Sequence, residues 1–158
     1  GLVNKRLSPL APFIKRGHPE LYNAYRSVVG KACREAVVGK YPNLEFDYSK
    51  IQIASGNLPV PVDVQLQYDS EAGSVIFRWD LGSTETSQSI NGIDKVYIVC
   101  FNADLPTEGL LMQPATRADG EATVEHPAEW DISNTHFWMY FSSPDLQQNS
   151  SSLYFKVG

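Results

Sequence analysis

VDVQLQYDSEAGSVIFRWD, residues 62–80, is the stretch whose reading decides the fold. Val62, Val64, Leu66 and Tyr68 alternate with Asp63, Gln65 and Gln67, and after Glu71-Ala72-Gly73 the alternation resumes with Val75, Phe77 and Trp79 against Ile76, Arg78 and Asp80. Side chains on a strand point to opposite faces with period two, so this is a hairpin with one buried and one wetted face. A core face carrying Phe77 and Trp79 needs a second apolar layer to cover it.

The rest of the chain supplies that layer. After a Ser-, Thr- and Gly-rich stretch at 82–92, expected to be a loop, VYIVCF at 96–101 is apolar without interruption. A short unbroken run of that kind, rich in β-branched and aromatic residues, predicts a central strand buried on both faces. Gly109–Met112, Ala122–Glu125, His136–Phe141 and Leu153–Val157 read as four further strands, with Gly, Pro, Asn and Asp between them. The expected fold is mainly β: a seven-stranded antiparallel sandwich of the immunoglobulin or fibronectin type III kind.

Residues 62–158 would form that sandwich, 43–61 a strand or linker, and 1–42 an arm and an amphipathic helix. From Glu20 onward Leu21, Tyr25, Val28, Val29, Ala32, Cys33 and Ala36 recur at spacings of three and four, with Pro19 before and Gly39 after. The pattern predicts one helix with a single apolar stripe, docked on the sheet. Pro9, Pro12, Gly17 and Pro19 predict an extended or turn-broken stretch over 1–19, carrying Leu7, Leu10, Phe13 and Ile14 as docking residues. LEFDYSKIQI, from Leu44, predicts a strand or extended linker that Gly56, Pro59 and Pro61 end.

At 158 residues and 42% apolar content the chain suits one domain with a full core. It has no apolar run long enough to cross a membrane. It begins at Gly1 rather than Met, so a processed or trimmed product is expected. Localisation stays open, with extracellular or virion-associated placement as the expectation. Net charge is −5, unevenly spread. Residues 1–40 carry eight basic side chains against Glu20 and Glu35, a balance of +6, which leaves −11 on the remainder. Lys5, Arg6, Lys15 and Arg16 form a candidate basic arm. Because the basic residues are scattered and not interleaved with exposed aromatics, a protein partner, self-association or the acidic sandwich itself is expected before nucleic acid.

No constellation of residues spells chemistry. Cys33 and Cys100 lack metal or redox spacing, and free thiols are expected although a bridge stays open. His18, His126 and His136 stand apart from ligand-spaced partners, so no metal and no cofactor are expected. Ser150, Ser151 and Ser152 have nothing elbow-like around them, and a structural role is expected. Asp94 and Asp131, each preceding a strand, are expected to cap turn amides. Asn149-Ser150-Ser151 matches a glycosylation acceptor, to which no role is given. In HFWMYF either Phe137, Met139 and Phe141 or His136, Trp138 and Tyr140 face the sheet core. The helix is expected to cover the other set; left bare, His136, Trp138 and Tyr140, with Trp130, would be a recognition surface.

Three stretches carry a resemblance: AVVGKYPNLEFDYSKIQIASGNL at 36–58, DKVYIVCFN at 94–102, and the order of Pro127-x-x-Trp130, HFWMYF and SSSLYF. Together they resemble an uncharacterised family of Bacteroidetes proteins, a domain of unknown function, over nearly the whole chain. The resemblance implies a Gly-rich, basic segment in front that is not part of this sequence. It also implies a loose likeness in organisation to phage structural proteins, and it carries over no functional residue. The first expectation is therefore a non-enzymatic structural or protein-interaction module, a subunit of a cell-surface or phage-like assembly with residues 1–20 reaching a neighbour. A carbohydrate-binding sandwich using exposed Trp or Tyr is the alternative. An enzyme would require His126 or His136 beside a serine or carboxylate.

Overall fold

The computed structural model describes residues 1–80, 92–105 and 109–157. Most of the stretch expected to be a loop, 82–91, lies outside the described residues.

The expected hairpin forms from Val64 onward, while Val62, expected on its buried face, lies before the strand and is 86% exposed. β3 (Val64–Asp69) pairs antiparallel with β4 (Ser74–Trp79), from Val64 opposite Trp79 to Asp69 opposite Ser74. Gly73 takes the positive φ of +64° that the turn requires, a conformation favourable only to glycine. β7 (Glu121–Glu125) adds to the other side of β4. The second sheet runs β6-β5-β8-β9, with β5 (Lys95–Asn102), β6 (Leu110–Thr116), β8 (Thr135–Ser142) and β9 (Leu153–Phe155). Every pairing is antiparallel.

The two sheets face each other across Val75, Phe77, Trp79 and Val124 on one side and Val96, Ile98, Cys100, Phe137, Met139 and Phe141 on the other. Phe77 meets Phe137 edge-on with centroids 5.8 Å apart, and Trp79 meets Phe141 in the same way at 5.8 Å. Trp130 closes this core, buried at the turn whose Trp130 amide donates to the Pro127 carbonyl. Its indole nitrogen has no hydrogen-bond partner among the described residues.

β5 and β8 are apolar on both faces because a second core lies behind them. All eight residues of β8 are buried. Tyr97, Val99, Phe101, Trp138 and Tyr140 point away from the first core and pack against Leu7, Leu10, Ile14, Ala32 and Ile53. The covering layer is helical: α1 (Leu2–Leu7), a single 3₁₀ turn at Ser8–Leu10, α2 (Ala11–Gly17) and α3 (Ala24–Glu35).

Here the structure corrects the sequence reading. Residues 1–19 are mostly helical, not extended, because Pro9 and Pro12 each fall in the first turn of their segment, where the missing N–H has no intrahelical partner to lose. Leu7, Leu10 and Ile14 are fully buried, so the arm docks on its own sheet. The long helix begins at Ala24 and not Glu20, and it stops at Glu35. The residues after it form β1 (Val37–Lys40) and β2 (Asn43–Phe46), a separate two-stranded ribbon. Among the described residues, nine strands in three antiparallel sheets therefore stand where seven in two were expected.

Candidate interaction surface

The row proposed from sequence as a recognition surface is the wall of the second core. Trp138 is 0% exposed, Tyr140 2%, His136 8% and Trp130 3%. The Trp138 indole N–H donates to the Ile51 carbonyl at 3.1 Å, and Tyr140 stacks on Tyr97 at 5.4 Å. His136 shares a 2.6 Å hydrogen bond with the Tyr154 hydroxyl, and its ring lies 4.4 Å from that of Tyr48. Desolvation, reinforced by the Lys156 charge and only partly opposed by Asp47, holds the His136 pKa down at about 4. His136, Trp138 and Tyr140 are covered by the helices and by the 47–54 segment, and Trp130 is enclosed between the two sheets, so none of the four offers a platform for stacking a sugar.

The two other histidines are tied to backbone. His126 Nδ1 lies 2.8 Å from the Pro127 carbonyl oxygen, which only accepts, so Nδ1 donates, and the ring stacks on Tyr68. His18 Nδ1 likewise donates to the Ile14 carbonyl at 2.8 Å. The hydrogen bonds of His126 and His136 go to tyrosine hydroxyls and main chain, and none of them reaches a serine or a carboxylate. No group of three metal-capable side chains converges among the described residues. Both cysteines are free: Cys33 is exposed on α3, and Cys100 sits between the sheets, where burial pushes its thiol far up. Asp131 caps a turn as expected, accepting from Ser133.

The serines are structural. Ser150 Oγ donates to the Ser151 carbonyl and accepts from the Phe141 amide, while Ser152 Oγ accepts from the Ile53 amide at 3.0 Å. They belong to a crossing of three chain segments at the end of α2. Gly17 lies so close to Ile53 and Ala54 that a Cβ would fall 2.1 Å from the Ile53 carbonyl oxygen. At Gly56 a Cβ would fall 1.9 Å from that of Asn149. Asn149 is 5% exposed and ties the crossing together: its amide donates to the Gly17 carbonyl at 2.9 Å and its oxygen accepts from Ser142. Its enclosure leaves no accessible glycosylation acceptor there. Above the crossing lies an open groove of about 920 Å³, walled by 18–21, 55–59 and 147–149.

Another exposed feature is the ribbon. It packs chiefly on α1 and α3, and its tip, Lys40-Tyr41-Pro42-Asn43, stands clear. Tyr41 is 87% exposed, Val38 42% and Leu44 39%, in a chain whose indoles are all buried. A two-stranded ribbon is marginal by itself, and bare apolar side chains on it gain nothing unless something covers them.

The basic arm residues Lys5, Arg6, Lys15 and Arg16 are exposed on the last turns of α1 and α2, where positive charge complements the helix dipole. Arg16 also lies over the Tyr97 ring, its guanidinium carbon 5.2 Å from the centroid.

The family described as a family of unknown function, DUF6266, matches residues 1–156. The chain belongs to DUF6266. A comparison with curated proteins finds no match. Sequence reasoning missed three features of this DUF6266 chain. One is a buried ion pair, Arg117 Nε donating to Asp94 at 3.0 Å. The second is the groove, which only the spatial crossing of three segments creates. The third is the ribbon, for which the alternation of Leu44 and Phe46 was the available signal.

Proposed function

We propose that this DUF6266 chain is a non-enzymatic protein-interaction module that self-associates as a subunit of a larger assembly, at a cell surface or in a phage-like particle. The sandwich itself we read as fibronectin type III-like, a reading supported by the sheet order β3-β4-β7 against β6-β5-β8-β9. The single observation that carries the functional reading is the ribbon, which belongs to neither large sheet and holds Val38, Tyr41 and Leu44 out to solvent. A helical layer bearing most of the basic charge, set against an acidic remainder, supports contacts between copies. Carbohydrate binding through Trp138 and Trp130 loses its support from their burial.

The test is absolute mass by light scattering on a sizing column, across protein and salt concentration. The wild type is expected above the 17.6 kDa of one chain at high concentration. Val38→Ser with Tyr41→Ser, both at exposed positions, is expected to stay at one chain with an unchanged Tm. Wild type and variant both holding a single-chain mass throughout would refute the reading.

A further inference from the structure

The groove is lined by a side chain with a ring nitrogen that has no hydrogen-bond partner among the described residues. His18 is only 6% exposed, and its Nδ1 donates to the Ile14 carbonyl, a tautomer in which Nε2 is the acceptor. Among the described residues Nε2 has no hydrogen-bond partner, and His18 lines the groove. The groove is open, so a donor delivered from outside can pair with Nε2 there. Glu20 is the lone carboxylate of the lining, and Leu21 and Leu58 supply apolar wall. At about 920 Å³ the groove is of a size that encloses a substantial group, since such sites span roughly 300–1,000 Å³.

The ribbon tip carries the complementary set. Tyr41 is a rigid apolar ring ending in an O–H donor, Lys40 beside it is a cation, and Pro42 follows. Tyr41 is 87% exposed, so the tip does not occupy its own groove. α3 begins just past the groove's Leu21 and runs directly into the ribbon, so about 18 Å of helix, at 1.5 Å per residue, separates groove from ribbon base.

Resting on the self-association read above, we propose that the groove is the receptor for the β1–β2 tip of a second copy of this chain. The Tyr41 hydroxyl of one copy donates to His18 Nε2 of the next, its ring lies against Leu21 and Leu58, and Lys40 faces Glu20. The contact is head to tail: each copy inserts a tip and offers a groove, so unless the rotation closes a ring the result is an open chain of subunits. A tip-sized contact falls in the small, transient class of interfaces, in keeping with association that appears only at high concentration.

A complementation experiment tests it. Val38→Ser with Tyr41→Ser spoils the tip and spares the groove; Glu20→Lys with Leu21→Lys, both exposed and outside helices and strands, spoils the groove and spares the tip. Circular dichroism and Tm confirm that each variant folds. Each is expected to weaken self-association on the order of 30-fold, as loss of a central anchor does. Mixed in equal amounts, the two should form a discrete dimer that grows no further, because one intact tip meets one intact groove. Lys40→Glu and Glu20→Lys combined in one chain should restore what either change alone weakens.

If the tip variant is monomeric while the groove variant associates like the wild type, the groove assignment is overturned and the ribbon reading stands. A mixture that remains monomeric overturns head-to-tail pairing. A wild type that is monomeric at every concentration overturns both this assignment and the functional reading beneath it.

Discussion

His136 is enclosed by Tyr48, Trp138 and Tyr154, and burial holds its pKa at about 4 against an ordinary value of 6.5. Between those two values the unfolded chain binds a proton that the folded chain refuses. Stability therefore falls as pH falls through that window and is fully present above it. A displacement from 6.5 to about 4 amounts to about 3 kcal/mol when complete, at roughly 1.4 kcal/mol per tenfold change in proton affinity. About 2 kcal/mol of this should be lost by pH 5 and nearly all of it close to pH 4. The perturbation is His136→Asn, which keeps an amide where Nδ1 bonds Tyr154 but cannot titrate. Its smaller side chain lowers stability by an amount that does not depend on pH. Urea unfolding followed by tryptophan fluorescence from pH 7.5 to 4 gives the free energy for both proteins, and their difference removes the common contribution of the surface carboxylates. The difference should shrink by about 2 kcal/mol between pH 7 and 5. A difference that stays constant over that range would refute the account, and with it the claim that the helical layer excludes water from this face of β8.

Two further outcomes follow from particular contacts. Asp94→Asn leaves the Arg117 guanidinium buried beside Phe141 without its counter-charge, and should cost about 3–5 kcal/mol in denaturant unfolding. Gly56→Ala places a methyl 1.9 Å from the Asn149 carbonyl oxygen, so the crossing must part. A loss of about 1–3 kcal/mol is expected in the same assay, with the pH dependence of His136 unchanged.

What was legible in the sequence was whatever periodicity alone controls. The 62–80 hairpin and the doubly apolar run at 96–101 could be read directly, because a strand's faces are written in its alternation. HFWMYF was legible to the point of two opposed rows but not to which row met which layer, since that depends on the helices across from it. The N-terminal stretch was misread because Pro9 and Pro12 look like breakers in a list of residues and are helix starters when they fall in a first turn. Arg117 and Asp94, 23 residues apart, carry no local signal of pairing. The groove is likewise silent in sequence: Gly17, Gly56 and Asn149 meet only after the sandwich has closed.

The double-sided burial of β5 and β8 also bears on the order in which the protein is made. α1, α2 and α3 have 6, 7 and 12 residues, too short to persist in water alone. They precede the sandwich in the chain, yet the surface they need is built from Tyr97, Val99, Trp138 and Tyr140, all far downstream of α3. During synthesis the helical segment must therefore wait, uncommitted, until β8 has appeared. The Asn149 amide reaching back 132 positions to the Gly17 carbonyl is then a clasp that can close only after β8 is in place.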